Sequence, residues 1–203
     1  MTTRLELRTA LRLRLEDSGG TPLWDDATLN DALAAAIRAY GVAVPRQMTT
    51  GVTVPAGATK MTTGVTLDAE RITRVTDAAG IWVPPWPPWE DRPGQRTLGQ
   101  AWRWWNGDFL LAEPAAASGA GIWTVEHLTG RTPPTTDGET ADILPGDEEI
   151  VLGFAQAAAL ARRAVEDAKR GIRSDAGTRA EAAREGAERL LGRRGRRARM
   201  RRG

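Results

Sequence analysis

The chain of 203 residues contains no cysteine. Disulfides, thiolate metal sites and cysteine nucleophiles are therefore excluded together. The absence fits an intracellular site of assembly. No apolar run is long enough to span a bilayer. Residues 1–14 alternate leucine with arginine and glutamate instead of building the apolar stretch of a secretory signal. A soluble protein made in the cytoplasm is expected. His127 is the sole histidine. It follows a predicted strand and has no partner at catalytic or metal-binding spacing, so its expected role is structural. There is no G-x-S-x-G elbow. Gly57-Ala58-Thr59-Lys60 lacks the second glycine of a phosphate-binding loop and reads as a hairpin turn. Internal repeats are absent too. No catalytic residue, cofactor or metal site is expected; a two-metal nuclease is the enzyme class that the carboxylates leave open.

What is present suits one domain, or a core with an inserted subdomain. The apolar share of 41% is enough for a real core. Charge is unevenly spread. Residues 192–203 hold seven arginines and no acid; residues 1–191 hold 21 basic against 26 acidic residues, a net −5. A mildly acidic body thus carries a basic tail, which suggests a phosphate-rich or acidic partner.

The first helix is predicted over residues 3–16, where Leu7, Leu11 and Leu15 form one stripe and Arg4, Arg8, Arg12 and Arg14 spread over the rest. Asp17-Ser18-Gly19-Gly20 ends it. The second helix starts at an Asp25 N-cap, with Trp24 and Leu29 at the spacing of a hydrophobic staple. Leu29, Leu33, Ile37 and Tyr40 continue its stripe, and Gly41 and Pro45 end it. Two such helices cannot bury their faces alone.

From residue 49 to about 128, Thr, Val, Gly, Pro and Trp replace charge. Residues 51–54, 65–67, 71–77, 81–83 and 122–126 read as strands. Asn106-Gly107 predicts a type I′ hairpin joining residues 101–105 to 108–112, because both central positions need positive φ. A small antiparallel sheet or sandwich inserted between helical parts is expected. Residues 84–93, rich in Pro and Trp, are read as a stiff polyproline-like surface loop. A Pro/Thr/Gly loop covers residues 130–142.

A long helix follows Pro145, with Asp147, Glu148 and Glu149 in its first turn, where the helix dipole favours acids. Ile150, Val151, Phe154, Ala157, Ala158, Ala161 and Val165 form its small-residue face. Residues 178–191 make a last helix whose stripe of Ala180, Ala183, Ala187 and Leu191 is too thin to fold alone and must dock. The arginine tail after it is expected to be disordered when free. The fold class is α+β: a helical pair over 1–48, an antiparallel β-subdomain over 49–129, a loop over 130–144, a long C-terminal helical segment over 145–191 and the tail over 192–203.

Carboxylates cluster at helix ends. Asp25-Asp26 and Asp147-Glu148-Glu149 suit helix starts, and Glu16-Asp17 reads as a solvated turn. Seven of the eight tryptophans lie between Trp82 and Trp123. Trp102, Trp104 and Trp123 suit a core. Trp86 and Trp89, fenced by prolines, suit contact with another subunit or a tail component, since stiff aromatics lose little entropy on docking. Stacking on single-stranded nucleic acid is the lesser option for them. The arginines would bind phosphates by counterion release, with little sequence preference, or dock on an acidic protein surface.

The order of segments is familiar. Leu23-Trp24-Asp25-Asp26 with Leu29-Asn30 is followed by Val52-Thr53-Val54-Pro55-Ala56-Gly57. Then come Arg71-Ile72-Thr73-Arg74-Val75, Asp77-Ala78-Ala79-Gly80 and Leu110-Leu111-Ala112-Glu113-Pro114. Finally Leu144-Pro145-Gly146-Asp147-Glu148-Glu149-Ile150 opens an alanine-rich helix. The chain resembles the head-to-tail adaptor (connector, head-completion) proteins of tailed bacteriophages over residues 5–191. The Trp-Pro loop departs from that pattern. The resemblance implies a helical bundle with an inserted β-subdomain, no catalysis and a place in the virion neck, with assembly in the host cytoplasm. It implies a homo-oligomeric, dodecameric ring below the portal protein that meets the next tail or neck protein and continues the DNA channel.

In that setting Leu190, Leu191, Arg193, Arg194, Arg196, Arg197, Arg199, Arg201 and Arg202 would contact the portal or packaged double-stranded DNA, and no membrane is involved. The alternative is a small nucleic-acid-binding protein, without sequence specificity, that uses the tail.

Overall fold

The computed structural model describes residues 2–17, 19–62, 71–86, 100–113 and 115–200, the side chains of Ala117 and of residues 196–200 excepted. The chain forms two compact units: a helical one, Met1–Pro45 with Gly130–Gly203, and a β unit, Arg46–Thr129. The fold class is α+β with a long C-terminal helix, as expected.

In the helical unit, α1 (Arg4–Arg14) opens on a capping box. The Glu6 N–H donates to the Thr3 hydroxyl at 3.3 Å and the Thr3 N–H to the Glu6 carboxylate at 2.8 Å. Helix α2 (Asp26–Ala43) starts as its sequence signals: the Thr28 N–H donates to Asp25 at 2.6 Å, and Trp24 and Leu29 are both buried. That bond is the largest cause holding the Asp25 carboxyl below its ordinary range.

Leu7, Leu11 and Leu15 share one core with Leu29, Leu33 and Ile37. Each fully buried Leu or Ile contributes about 1.5–3 kcal/mol of transfer free energy. The partner these two helices need is α3 (Glu148–Lys169). Its stretch 150–160 is buried on more than the one expected face, because Leu152, Ala155, Ala159 and Leu160 join Ile150 and Val151 inside while Val165 is exposed. A helix packed on several sides is apolar around most of its girth.

Helix α4 (Ala176–Met200) docks through its alanines, with Ala180 and Ala187 buried. Helices α3 and α4 approach closely enough that a Cβ on Gly153 would lie 3.0 Å from the Ala187 Cβ. The expected end of this helix at Leu191 is corrected: the helix continues to Met200. Arginine is a good helix former, and the propensity outweighs single glycines at 192 and 195.

One reading of a charged residue, that of Asp17, is also corrected. Arg8 is buried, its guanidinium paired with Asp137 at 2.7 Å and donating to Asn30 at 3.2 Å. Hydrogen bonds from Arg8 and Arg4 hold the Asp137 carboxyl below its ordinary range. Asp17 is no solvated turn residue. It is buried, accepts from the Leu23 and Trp24 N–H groups at 2.5 and 3.2 Å, and pairs with Arg12 at 2.7 Å. The carboxylate thus satisfies the backbone of the loop into α2.

In the β unit, β1 (Arg46–Val54), β7 (Gly121–Thr129), β3 (Ile72–Thr76) and β4 (Trp82–Val83) form one antiparallel sheet in the order β1-β7-β3-β4. The strands β2 (Lys60–Thr62), β6 (Asp108–Leu111) and β5 (Trp102–Trp105) form a second, ordered β2-β6-β5. The hairpin at Asn106-Gly107 has φ of 51° and 91°, as a type I′ turn requires.

Val52, Val75, Trp123 and Val125 of the first sheet and Met61, Trp102, Phe109 and Leu111 of the second share one core. Trp102 and Trp104 meet Phe109 edge-on, with centroids 5.4 and 5.0 Å apart. His127 is buried, its Nε2 2.9 Å from the Thr50 hydroxyl. The strand expected over 65–67 lies outside the described residues.

Candidate functional site

The basic segment singled out in the sequence is the end of α4, and one buried node ties it to the helical unit. Gly146, at φ 86°, turns the chain into α3 and places Asp147 at the N-cap position. The expected capping role of Asp147 is corrected, because its side chain makes no cap bond. Its carboxylate instead accepts from the Tyr40 hydroxyl at 2.5 Å and pairs with the Arg194 guanidinium. Two donors offset much of the cost of burying that charge.

Tyr40 is fully buried. Burial, then the hydrogen bond to Asp147, pushes its phenol up to about 12. The Arg131 guanidinium lies 5.3 Å from the Tyr40 ring centroid, donates to the Val44 carbonyl at 2.7 Å and pairs with Asp142 at 2.8 Å. Gly41 leaves room for this arrangement, since a Cβ there would lie 2.7 Å from the Arg131 backbone nitrogen.

Helical spacing explains which arginines turn inward. Arg194 lies seven residues after Ala187 and shares its side of α4, so it reaches Asp147. Arg189, five positions before Arg194, lies about 140° away around the helix. Arg193 is exposed, Leu191 is half-buried against the core, and Leu190 is 38% exposed. Positions 196, 197 and 199 lie on the helix before its end at Met200; Arg201 and Arg202 lie outside the described residues. The sequence reading missed Asp147 as the shared partner of Tyr40 and Arg194. No local spacing could reveal it, because Tyr40 and Asp147 are 107 positions apart.

The tryptophan reading is altered at Trp86. The Trp86 N–H donates to the Trp102 carbonyl, the Trp102 N–H donates to the Pro84 carbonyl at 3.0 Å, and Pro85 bridges Trp102 in parallel. Proline carbonyls still accept hydrogen bonds, so this stretch pairs along an edge of β5 instead of standing free. Trp86 is half-buried, with the Arg103 guanidinium 4.8 Å from its ring centroid. The more exposed aromatics are Trp82 at 56% and Trp105 at 65%. Trp89 lies outside the described residues. Among the described residues no group of His, Asp or Glu side chains could hold a metal ion, and no helix is long and apolar enough to cross a membrane.

Fold and charge together define an α+β protein whose distinguishing feature is a basic helix end anchored on a buried acid. The chain belongs to the SU10 adaptor protein family, whose model matches residues 2–203. It is a phage adaptor protein, in agreement with the resemblance to head-to-tail adaptors drawn from its segments. No curated protein matches the chain.

Proposed function

We propose that this adaptor is a non-catalytic virion protein that assembles into a dodecameric ring between the portal protein and the next tail or neck protein, continuing the DNA channel. The observation that carries the reading is the family match across nearly the whole chain. The basic end of α4 supports it, because Arg189 and Arg193 form an exposed arginine face beside an accessible Leu190. That face is assigned to the portal or to packaged double-stranded DNA. Trp86 and Trp89 are assigned to subunit or tail contact, and the exposed Trp82 and Trp105 extend that assignment within the β unit.

Quantitative mass spectrometry of purified particles tests the reading. About a dozen copies per particle, scaled against the portal, is the expected result for a closed ring. Absence from particles discards the adaptor ring. Loss of DNA affinity on removing residues 192–203, with rescue by an unrelated basic peptide, would then favour a nucleic-acid-binding protein.

A further inference from the structure

A cleft in the helical unit adds a binding site to that reading. It has a volume of about 440 Å³ and lies between the end of α1, the start of α3 and the outer part of α4. Its floor is Gly153, Gly186 and Ala187, and Arg14, Arg189 and Arg193 stand around it. Arg14 is paired with Glu149, the one acid in the lining. Among the described residues Arg189 and Arg193 have no ion-pair or hydrogen-bond partner. Two uncompensated guanidinium groups beside a shallow, small-residue floor form a receptor for oxyanions that also offers apolar contact.

Resting on the reading of α4 as an assembly surface, we infer that this cleft takes an acidic, amphipathic segment of a partner protein. A carboxylate side chain fits between Arg189 and Arg193, and small apolar side chains fit over Gly186 and Leu190. A DNA duplex suits the place less well. A phosphate backbone offers no apolar contact to Gly153, Gly186, Ala187 and Leu190, which line the cleft. Arg194, by contrast, is a positioning residue: its pair with Asp147 keeps the helix end in place and so sets Arg193 at the cleft.

The test uses the full-length protein and two fluorescent probes at equal ionic strength: a helical peptide of glutamate, alanine and leucine, and a random DNA duplex. Two variants perturb the cleft by different means. R189E/R193E reverses its charge. Gly186→Leu fills it, and a Cβ at that position meets nothing within 4 Å, so the helix should keep its far-UV circular dichroism. Wild type is expected to bind the peptide, and each variant to bind it at least about tenfold more weakly.

No peptide binding by wild type, or unchanged binding in both variants, overturns the proposal. Duplex binding that weakens in R189E/R193E without peptide binding overturns it in favour of nucleic acid. Copy number in particles is read separately. A wild-type protein present at ring stoichiometry that ignores the peptide loses the cleft assignment and keeps the adaptor reading.

Discussion

In the helical unit the core is aliphatic and alanine-rich, and ion pairs such as Arg8–Asp137, Arg12–Asp17 and Arg163–Asp167 bind its edges. In the β unit the core is built on valines and on Trp102, Trp123 and Phe109, with Lys60–Asp108 as an ion pair at 2.8 Å. The difference follows from element geometry. Helices bring residues three and four apart together, so leucine and alanine stripes make continuous faces and pairs such as Arg163–Asp167 form locally. Short strands present few inward positions, so each must carry a large side chain. The two units accordingly offer different surfaces: arginines on α4, and aromatics at Trp82 and Trp105.

The sharpest test of this contrast compares one large core residue from each unit. Trp123→Ala is expected to cost about 3–5 kcal/mol and Leu29→Ala about 2–5 kcal/mol. Tryptophan fluorescence follows the first, since seven of the eight tryptophans lie within the β unit's span, and helical circular dichroism follows the second. A small loss at Trp123 would show that the β core does not depend on its aromatics.

Asp147→Ala should cost about 2–3 kcal/mol, because it leaves the Tyr40 hydroxyl and Arg194 without their buried partner. Hydrogen exchange should rise along the end of α4. Unchanged protection there would mean that the alanine contacts hold the helix without the node.

The same node predicts an alkaline response. Tyr40 ionises at about 12 in the folded chain against an ordinary 10.0. Its folded value is raised, so the stabilisation is complete below about pH 10 and is lost as pH passes through about 12, a fall of about 2–3 kcal/mol. As the single tyrosine, it can be titrated by phenolate absorbance, and Tyr40→Phe should remove this step from the pH dependence of unfolding.

Gly153→Leu should push α4 from α3 at a cost of about 1–3 kcal/mol, seen as faster exchange in α4, because the Ala187 Cβ already lies 3.0 Å from where a Cβ would sit. The smallest effect belongs to the β hairpin. Asn106→Ala places alanine at φ 51° and should cost about 1 kcal/mol in the fluorescence-monitored melt.

Local signals carried much of the architecture. The Asp25 cap with its Trp24–Leu29 staple, the leucine stripe of α1 and the Asn106-Gly107 turn were readable because each depends on a few adjacent residues. Pairing was not readable in that way. Strand β7 lies between β1 and β3, and its partners come from distant parts of the chain.

At the candidate site, the arginines and Leu190 were legible as composition, and their division into inward and outward groups was not. That division needs the α3–α4 packing, which sets Arg194 on Asp147 and leaves Arg193 exposed. The order of elements, the caps and the basic helix end come from short-range chemistry written along the chain. The burial of Arg8, Asp17 and Asp147, the pairing of Trp86 and the cleft between Arg14, Arg189 and Arg193 exist only because packing brings distant residues together, where desolvation makes each unpaired charge costly and each satisfied one specific.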